Sequence, residues 1–185
     1  QASSPQVQWR VGDIERGDLP GLPAFDAIAS CGPLDAFSRW FARAPLAGRP
    51  RVVAFGSLSI DSKRDSPDAG ERALASRLGE AEQRLFAAAD QRGSACVMLR
   101  PTLIYGAGID RSLTPLGRHA ARWRVFPRVA GAHGLRQPVH ADDLAVAAYA
   151  CANTPATQGQ TYALPGGETL TYRDMVARVL ASLTP

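Results

Sequence analysis

Long hydrophobic runs are missing from this sequence. No apolar stretch approaches the ~18 residues that a membrane-spanning helix needs. No charged region followed by an apolar one, the pattern of an export signal, is visible. Of the 185 residues, 45% are apolar and 21% charged, which is ordinary for a globular domain with a full core. We therefore expect a cytoplasmic protein with no membrane partner.

Cysteine and lysine are scarce as well. Cys31, Cys96 and Cys151 lie far apart and are odd in number, so they form neither a CxxC metal pattern nor a disulfide framework. We expect buried free thiols and no metal site. The net charge of +4 rests on twenty arginines and one lysine, Lys63.

The densest basic piece of the chain spans 111–128. There Arg118 and Arg122 lie one helical turn apart, and Trp123 stands among basic residues. Such a piece is compatible with nucleic-acid binding, but a solvated helix face explains it without any further feature. We favour the solvated face and expect no nucleic-acid partner.

Short apolar runs alternate with helical patterns in the first hundred residues. Residues 7–12 alternate between apolar and polar, as a strand does, and three runs bounded by turn residues are typical of buried parallel strands. These runs are 25–30, 51–57 and 95–101. Between them, helices are predicted at 33–46, with Pro33 in the first turn, and at 70–92. An apolar stripe on the second helix is formed by Leu74, Leu78, Ala81, Leu85 and Ala88. This order predicts an α/β fold with a doubly wound parallel sheet.

After residue 101 the pattern loosens into a glycine-punctuated loop and shorter elements. A strand and a helix are predicted at 136–152, with Asp142 or Asp143 at the helix start. A strand, a glycine turn and a last helix follow, with Thr169 or Thr171 placed to cap that helix. The last three elements span 162–183.

No repeat, low-complexity tract or linker divides the sequence. We expect one domain over 1–185, with the main sheet and its helices in 1–104 and a smaller lobe on the substrate side in 105–185.

Six motifs follow one another in a recognisable order. They are VGDI (11–14), FDAIASCG (25–32), VVAFGSLS (52–59), LRPTLIYGAG (99–108), RQPVHADDLAVA (136–147) and YALPGGETLTYRDMVARV (162–179). This order resembles the extended short-chain dehydrogenase/reductase family, the NAD-dependent epimerases and dehydratases. The fourth and fifth motifs are the most specific. The resemblance covers nearly the whole chain and implies an N-terminally truncated, Rossmann-like fold with NAD or NADP as cofactor.

The resemblance also implies roles for individual residues. In the family, the Asp of the G-D-[LI] turn binds adenine, which implies Asp13 and the backbone of Ile14, although an Asp that starts a solvated turn fits equally well. Other residues implied to lie along the dinucleotide are Ser30, Cys31, Gly32, Ser57, Pro101, Thr102 and Tyr105. Arg136 matches the arginine that binds the substrate diphosphate in nucleotide-sugar members.

Two family features are absent from the sequence. The family opens with a strand, a GxxGxxG turn and a helix that binds the pyrophosphate, and no such glycine spacing occurs here. We expect the sequence to be a fragment of a longer protein. The family's Tyr-x-x-x-Lys proton relay is also missing. Its Tyr and Lys positions fall on Leu74 and Leu78, or on Ala73 and Arg77 if the helix is aligned one residue earlier. Arg77 could still bind a ribose or phosphate.

Catalytic candidates are therefore few. The family's serine position falls on Leu58, between Ser57 and Ser59. Lys63 is either a relocated base, as in a subgroup that has a lysine there and no Tyr-x-x-x-Lys pair, or a solvated side chain, which we favour. A hydrolase pair of Ser57 or Ser59 with His140 is weaker, since no GxSxG turn occurs. We expect His140 to pack and Asp143 to cap a helix or bind backbone.

Two function classes remain open, with a third beside them. The first is an NAD(P)-dependent oxidoreductase or epimerase acting on a nucleotide sugar or a similar polar substrate, and the second is a catalytically degenerate scaffold or sensor that binds a dinucleotide without turnover. The third is that this chain, without a phosphate turn, binds no dinucleotide. A homodimer through the helix at 70–92 is compatible with the pattern.

Overall fold

The computed structural model describes residues 7–17, 19, 21–106, 108, 110, 113–123 and 134–182. Strands and helices alternate through the first part of the chain. In chain order they are β1 (Ala27–Ser30), α1 (Leu34–Arg43), β2 (Arg51–Phe55), α2 (Ser59–Ser62), α3 (Ala69–Arg92) and β3 (Cys96–Pro101). The second part is built from shorter pieces, namely β4 (Ile104–Tyr105), α4 (Leu113–Trp123), β5 (Leu135–Arg136), β6 (Val139–His140), α5 (Ala141–Asn153), β7 (Thr161–Leu164), β8 (Leu170–Thr171) and α6 (Tyr172–Ala181).

Four strands form one parallel sheet in the order β1-β2-β3-β7. The central strands β2 and β3 carry unbroken runs of buried residues, as strands covered on both faces do. All carboxyl ends of a parallel sheet lie at one edge, so the segments that follow these strands meet there. The predicted α/β fold with a doubly wound parallel sheet is confirmed, and β7 joins this sheet from the predicted C-terminal lobe.

Helices cover the sheet on both faces. On one face, α1 and α3 pack over alternate residues of β2 and β3, and the buried cluster there contains Leu34, Phe37, Phe41, Val52, Ala54, Ala81, Leu85, Ala88, Ala89, Cys96 and Met98. On the other face, Cys151 of α5 packs on Val53, Val97 and Leu99. The alternation of side chains along each strand therefore divides the core into two layers.

The long helix α3 begins and ends on local sequence signals. Asp68 caps it, because its carboxylate accepts a hydrogen bond from the backbone N–H of Glu71 at 2.8 Å. Gly93 ends it in the left-handed region, with φ at 63°. Of the predicted apolar stripe, Ala81, Leu85 and Ala88 are buried, whereas Leu74 and Leu78 are half-buried.

The C-terminal elements form two small sheets beside the main one. β4 pairs with β6 in parallel, and β5 pairs with β8 antiparallel. Thr171 caps α6 by accepting from the N–H of Asp174 at 3.1 Å, as the sequence predicted for Thr169 or Thr171. The turn before β8 lies so close to β6 that a Cβ on Gly166 would fall 1.8 Å from the carbonyl oxygen of Pro138, so only glycine fits there.

Three local predictions are corrected. Residues 7–12 form no strand, and Val11 is fully exposed, because no neighbouring strand in the described chain buries one face of the alternating pattern. The cap of α5 is His140, whose Nδ1 accepts from the N–H of Asp142 at 3.2 Å, while Asp143 lies exposed in the first turn. Pro33 precedes α1 rather than lying in its first turn. Among the described residues, no helix has the length and apolar content needed to cross a membrane.

Candidate functional site

A cleft of about 1040 Å³ opens at the carboxyl ends of β2 and β3. It is lined by the turn and short helix after β2, the residues at the end of β3 and the β5 region, together with one residue of α3 and one that precedes β8. The lining residues are Ser57, Leu58, Ser59, Asp61, Ser62, Lys63, Glu71, Pro101, Thr102, Leu103, Leu135, Arg136, Gln137 and Thr169. Segments far apart in sequence therefore meet at the edge where doubly wound sheets bind ligands.

The turn after β2 is held by backbone and hydroxyl hydrogen bonds. The N–H of Gly56 donates to Leu99 O at 2.8 Å, and the N–H of Leu58 donates to Pro101 O at 3.1 Å. The hydroxyl of Ser57 accepts from the N–H of Ser59 at 3.1 Å. The backbone bonds tie the turn to the end of β3, so these two segments form one wall of the cleft.

A chain of ion pairs lies beneath the same wall. Arg100 of β3 binds Glu82 of α3 through Nη2–Oε2 at 2.6 Å and reaches Asp61 of α2 through Nη1–Oδ2 at 3.1 Å. The Glu82 side chain is 5% exposed. Its hydrogen bond to Arg100 raises the pKa of that guanidinium above its ordinary value. The short helix α2 is thus anchored to both β3 and α3.

Lys63 lines the cleft as half of an ion pair, and its role as a base stays a prediction. Its Nζ lies 2.9 Å from Oε1 of Glu71, and only 31% of the side chain is exposed. The other carboxylate oxygen of Glu71 accepts from the hydroxyl of Ser66 at 2.7 Å. The hydrogen bonds from Lys63 and then Ser66 hold the pKa of Glu71 below its usual range. The cleft therefore contains an ordered lysine–carboxylate pair.

Arg136 also lines the cleft. It lies in β5, and its Nη1 donates to the carbonyl oxygen of Leu135 at 2.8 Å. No carboxylate of the described chain pairs with it. Nearby, the hydroxyl of Thr102 donates to the carbonyl oxygen of Gln137, which joins the end of β3 to the β5 region. An unneutralised guanidinium beside hydroxyl groups is suited to an anionic ligand.

The structure brings six of the predicted site residues to this cleft. They are Ser57, Ser59, Lys63, Pro101, Thr102 and Arg136. Ser30, Cys31 and Gly32 lie at the carboxyl end of neighbouring β1, where Cys31 and Gly32 are exposed.

Other predicted residues lie elsewhere. Tyr105 faces a second cavity of about 630 Å³ near α4 and α6, and its ring meets His140 edge-on with centroids 5.0 Å apart. His140 does not line the cleft, so it is not brought to Ser57 or Ser59. Arg77 lies on the exposed face of α3, outside the cleft lining. Its role in binding a cofactor stays a prediction.

Asp13 and Ile14 are also set apart from the cleft. Ile14 lines a separate hollow with Trp40 and Arg43, which lie in the C-terminal half of α1. Because α1 begins at the cleft edge of the sheet, its C-terminal half lies away from the cleft. The Asp13 carboxylate accepts from the N–H of Glu15 at 2.9 Å, which is the local turn that the sequence left open as the alternative. An adenine role for the two residues stays a prediction.

Sequence reasoning missed the acidic members of the cleft. The sequence motifs point to neither Glu71 nor Asp61. They also give no partner for Glu82, which lies beneath the cleft. Glu71 lies three residues after the helix-capping Asp68, where an acidic residue in the first helical turn is common. No sequence pattern pairs it with a lysine eight residues earlier across a turn.

Comparison with known proteins gives matches in structure alone. No protein-family model matches the sequence, and no curated protein matches it. Three solved structures share its fold at low identity. UDP-N-acetylglucosamine 4-epimerase from Bacillus cereus is 15% identical, with a TM-score of 0.69 over 98% of this chain and 71% of that one. UDP-glucuronic acid 4-epimerase from Bacillus cereus, in complex with NAD, is 11% identical, with a TM-score of 0.63 over 80% of this chain and 51% of that one.

The third structure is a dTDP-glucose 4,6-dehydratase. It is a double mutant of DesIV from Streptomyces venezuelae with NAD bound, and it is 19% identical with a TM-score of 0.61 over 81% of this chain and 48% of that one. The chain has the fold of the NAD-dependent epimerases and dehydratases. It spans about half the length of the second and third structures. The fold implied by the six motifs is thereby confirmed.

Proposed function

We propose that the protein is an NAD(P)-dependent enzyme of the epimerase/dehydratase type, acting on a nucleotide sugar or a similar anionic, polar substrate. The observation that carries this proposal is the convergence of Ser57, Thr102 and Arg136 on one cleft at the carboxyl edge of the sheet. Hydroxyl groups and a guanidinium that has no carboxylate partner among the described residues suit, in that position, a ligand with hydroxyl and phosphate groups.

The residues at the strand ends fit the nicotinamide half of a dinucleotide. At the end of β1, Cys31 is exposed, and a Cβ on Gly32 would meet no atom within 4 Å, so space is open beside the cleft. Ser57 and Thr102 place hydroxyl groups at the next two strand ends. The described residues contain no glycine-rich turn before a helix, so the proposal assigns them to the nicotinamide half and not to the pyrophosphate. When bound, the cofactor would supply hydride exchange with a substrate carbon.

Arg136 is the residue proposed to bind the substrate anion. Its planar fork can donate two parallel hydrogen bonds to a phosphate, and no described carboxylate competes for it. The solved structures that share the fold include enzymes acting on UDP- and dTDP-sugars. Support for a nucleotide-sugar substrate therefore comes from this guanidinium together with the fold.

A scaffold that binds a dinucleotide without turnover is the second candidate. It is favoured by the half-buried Leu74 and Leu78, on which the Tyr and Lys positions of the family relay fall in one of the two predicted registers. Neither side chain can transfer a proton.

Cofactor binding followed by turnover separates the candidates. NADH and NADPH fluorescence is titrated with the protein, and hydride transfer is then followed with a panel of UDP- and dTDP-sugars. We expect saturable binding and transfer with at least one sugar nucleotide. Tight binding without transfer would favour the scaffold, and the absence of binding by both dinucleotides would refute both candidates.

A further inference from the structure

Two polar side chains of the cleft lining make no hydrogen bond to any residue that the structure describes. They are the half-buried carboxamide of Gln137 and the exposed hydroxyl of Thr169. The sequence allows Thr169 or Thr171 to cap α6, and in the structure Thr171 makes that cap, so the hydroxyl of Thr169 is not used there. An amide offers two donors and an acceptor, and a hydroxyl offers one donor and an acceptor. Hydrogen-bonding capacity for a polar ligand is therefore present at this point of the cleft.

The two residues lie opposite each other at the end of the small β5–β8 sheet. Arg136 pairs with Leu170 in its antiparallel register, and the next step of that register places Gln137 opposite Thr169. Side chains that are opposite in an antiparallel pair share a face, with Cβ atoms roughly 5 Å apart. Both side chains line the cleft, so one ligand can contact both.

The backbone of Gln137 is fixed on two sides. Its carbonyl oxygen accepts from the hydroxyl of Thr102, at the end of β3, and from the N–H of Gly166 at 3.3 Å. Neither bond uses the carboxamide. The base of the side chain is thus held in place while its polar end is left for a ligand, which limits the entropy lost on binding.

Gln137 stands between the two ends that the proposed function assigns to the cleft. Thr102, which binds its carbonyl oxygen, belongs to the nicotinamide side, and Arg136, its neighbour in the chain, is proposed to bind the substrate phosphate. In a nucleotide sugar, the sugar ring carries both the carbon that exchanges hydride and the bond to the diphosphate. A ring bound in this orientation spans the space between Thr102 and Arg136, where the carboxamide of Gln137 lies.

We propose that Gln137 and Thr169 bind hydroxyl groups of the substrate sugar and determine which sugar the cleft accepts. This inference rests on the proposed function. The carboxamide donates to one sugar oxygen and accepts from a sugar hydroxyl, and the hydroxyl of Thr169 binds a neighbouring one. A sugar that lacks one of these hydroxyl groups leaves a polar group of the protein unpaired, which is how such sites discriminate between substrates.

The test compares a sugar nucleotide with its own nucleoside diphosphate. Calorimetric titrations of the protein use UDP-N-acetylglucosamine against UDP, and dTDP-glucose against dTDP. For each sugar nucleotide that the wild type binds, we expect Gln137→Leu and Thr169→Val to weaken its affinity about three- to tenfold each, the loss of one hydrogen bond to an uncharged group. The affinity for the nucleoside diphosphate alone should stay at the wild-type value in both variants.

Gln91→Leu and Thr161→Val are the matched controls. Gln91 is exposed near the end of α3 and Thr161 is exposed on β7, both outside the cleft lining. These two variants should bind every ligand as the wild type does. The Tm of Gln137→Leu should be unchanged, because the bonds to its carbonyl oxygen do not depend on the side chain.

The outcomes distinguish this inference from the proposed function. If the wild type binds a sugar nucleotide, and Gln137→Leu and Thr169→Val bind it equally well, the inference is wrong and the proposed function stands. An equal loss of affinity for the sugar nucleotide and for its nucleoside diphosphate would show contact with the nucleotide half, which also overturns the inference. If the wild type binds neither the sugar nucleotides nor the nucleoside diphosphates, both proposals fail together.

Discussion

Glu82 and Arg100 form a two-pronged ion pair inside the fold. Nε of Arg100 lies 3.1 Å from both carboxylate oxygens of Glu82, and Nη2 lies 2.6 Å from one of them. The pair joins the middle of α3 to the end of β3, immediately beneath the candidate site. Arg100 also binds Asp61, so the pair holds in place the cleft wall that is formed by residues 57–63.

Removing one partner of this pair is expected to be costly. Arg100→Met leaves the Glu82 carboxylate nearly buried and unpaired, which should lower the free energy of unfolding by about 3–5 kcal/mol. Urea denaturation measures the change. The double variant Glu82→Met/Arg100→Met is the control, and it should recover most of the loss, since no buried charge remains. A single variant as stable as the wild type would show that the pair is dispensable.

Gly56 gives a second stability prediction at the same place. A Cβ there would lie 2.4 Å from Oε1 of Glu82 and 3.1 Å from the sulfur of Met98, and Glu82 cannot yield without leaving Arg100. Gly56→Ala should therefore destabilise the fold by about 1–3 kcal/mol. At Gly79 on α3 a Cβ meets nothing within 4 Å, so Gly79→Ala should stabilise by about 0.5–1 kcal/mol. Equal effects of the two substitutions would contradict this geometry.

The elements of the main sheet could be predicted because their signals are local. The runs ending at Phe55 and Pro101 are apolar and bounded by turn residues, and the stripe of α3 repeats at helical spacing. The alternating pattern around Val11 predicted a strand that does not form. Alternation gives a strand only where a neighbouring strand pairs with it, and a short stretch of sequence does not show which segments pair.

The site was predictable in part for the same reason. Thr102 and Arg136 are predicted from motifs, and the hydrogen bond from Thr102 to the carbonyl oxygen of Gln137 holds their two segments together. The pairs Lys63–Glu71 and Glu82–Arg100 join residues 8 and 18 positions apart in different elements, so no periodicity connects them. Their partners depend on how α3 packs against the strand ends, which only the three-dimensional structure determines.

The thiols offer a test of the proposed cofactor position. Cys31 is exposed at the end of β1, whereas Cys96 and Cys151 are buried, and burial raises the pKa of Cys96 to about 12. In the native protein we expect one fast-reacting thiol with Ellman's reagent and two slow ones, with the fast one lost in Cys31→Ser. NADH should slow that reaction if the dinucleotide passes over β1. Unchanged reactivity at saturating NADH would place the cofactor elsewhere.

Asp35 predicts how stability depends on pH. Its carboxylate is paired with Arg39 and lies 3.1 Å from Arg84 of α3, and the hydrogen bond from Arg39 holds its pKa below the ordinary 3.8. Because the folded pKa is lowered, the stabilisation is present above the unfolded value and is lost as the pH falls through the folded one. The stability difference between the wild type and Asp35→Asn should thus be full at neutral pH, begin to shrink as the pH approaches the ordinary value of 3.8, and vanish only below the lowered folded pKa.

Asp90→Asn is the matched control for that series. Asp90 is exposed near the end of α3 and makes no ion pair in the described chain. When thermal unfolding is followed from neutral to strongly acid pH, the stability difference between Asp90→Asn and the wild type should not shrink in the way expected for Asp35→Asn. A pH-independent difference for Asp35→Asn would mean that the carboxylate acts through packing alone.

The central claim is that one cleft, lined in part by Arg136, binds the substrate anion beside the cofactor. The most direct measurement is calorimetric titration of UDP-sugars and NADH into the wild type, Arg136→Gln and the control Arg173→Gln, an exposed arginine of α6. We expect Arg136→Gln to weaken UDP-sugar binding roughly 10- to 100-fold, the loss of a charge-assisted hydrogen-bond pair, with NADH affinity unchanged. Wild-type affinity for both ligands in Arg136→Gln would contradict the claim.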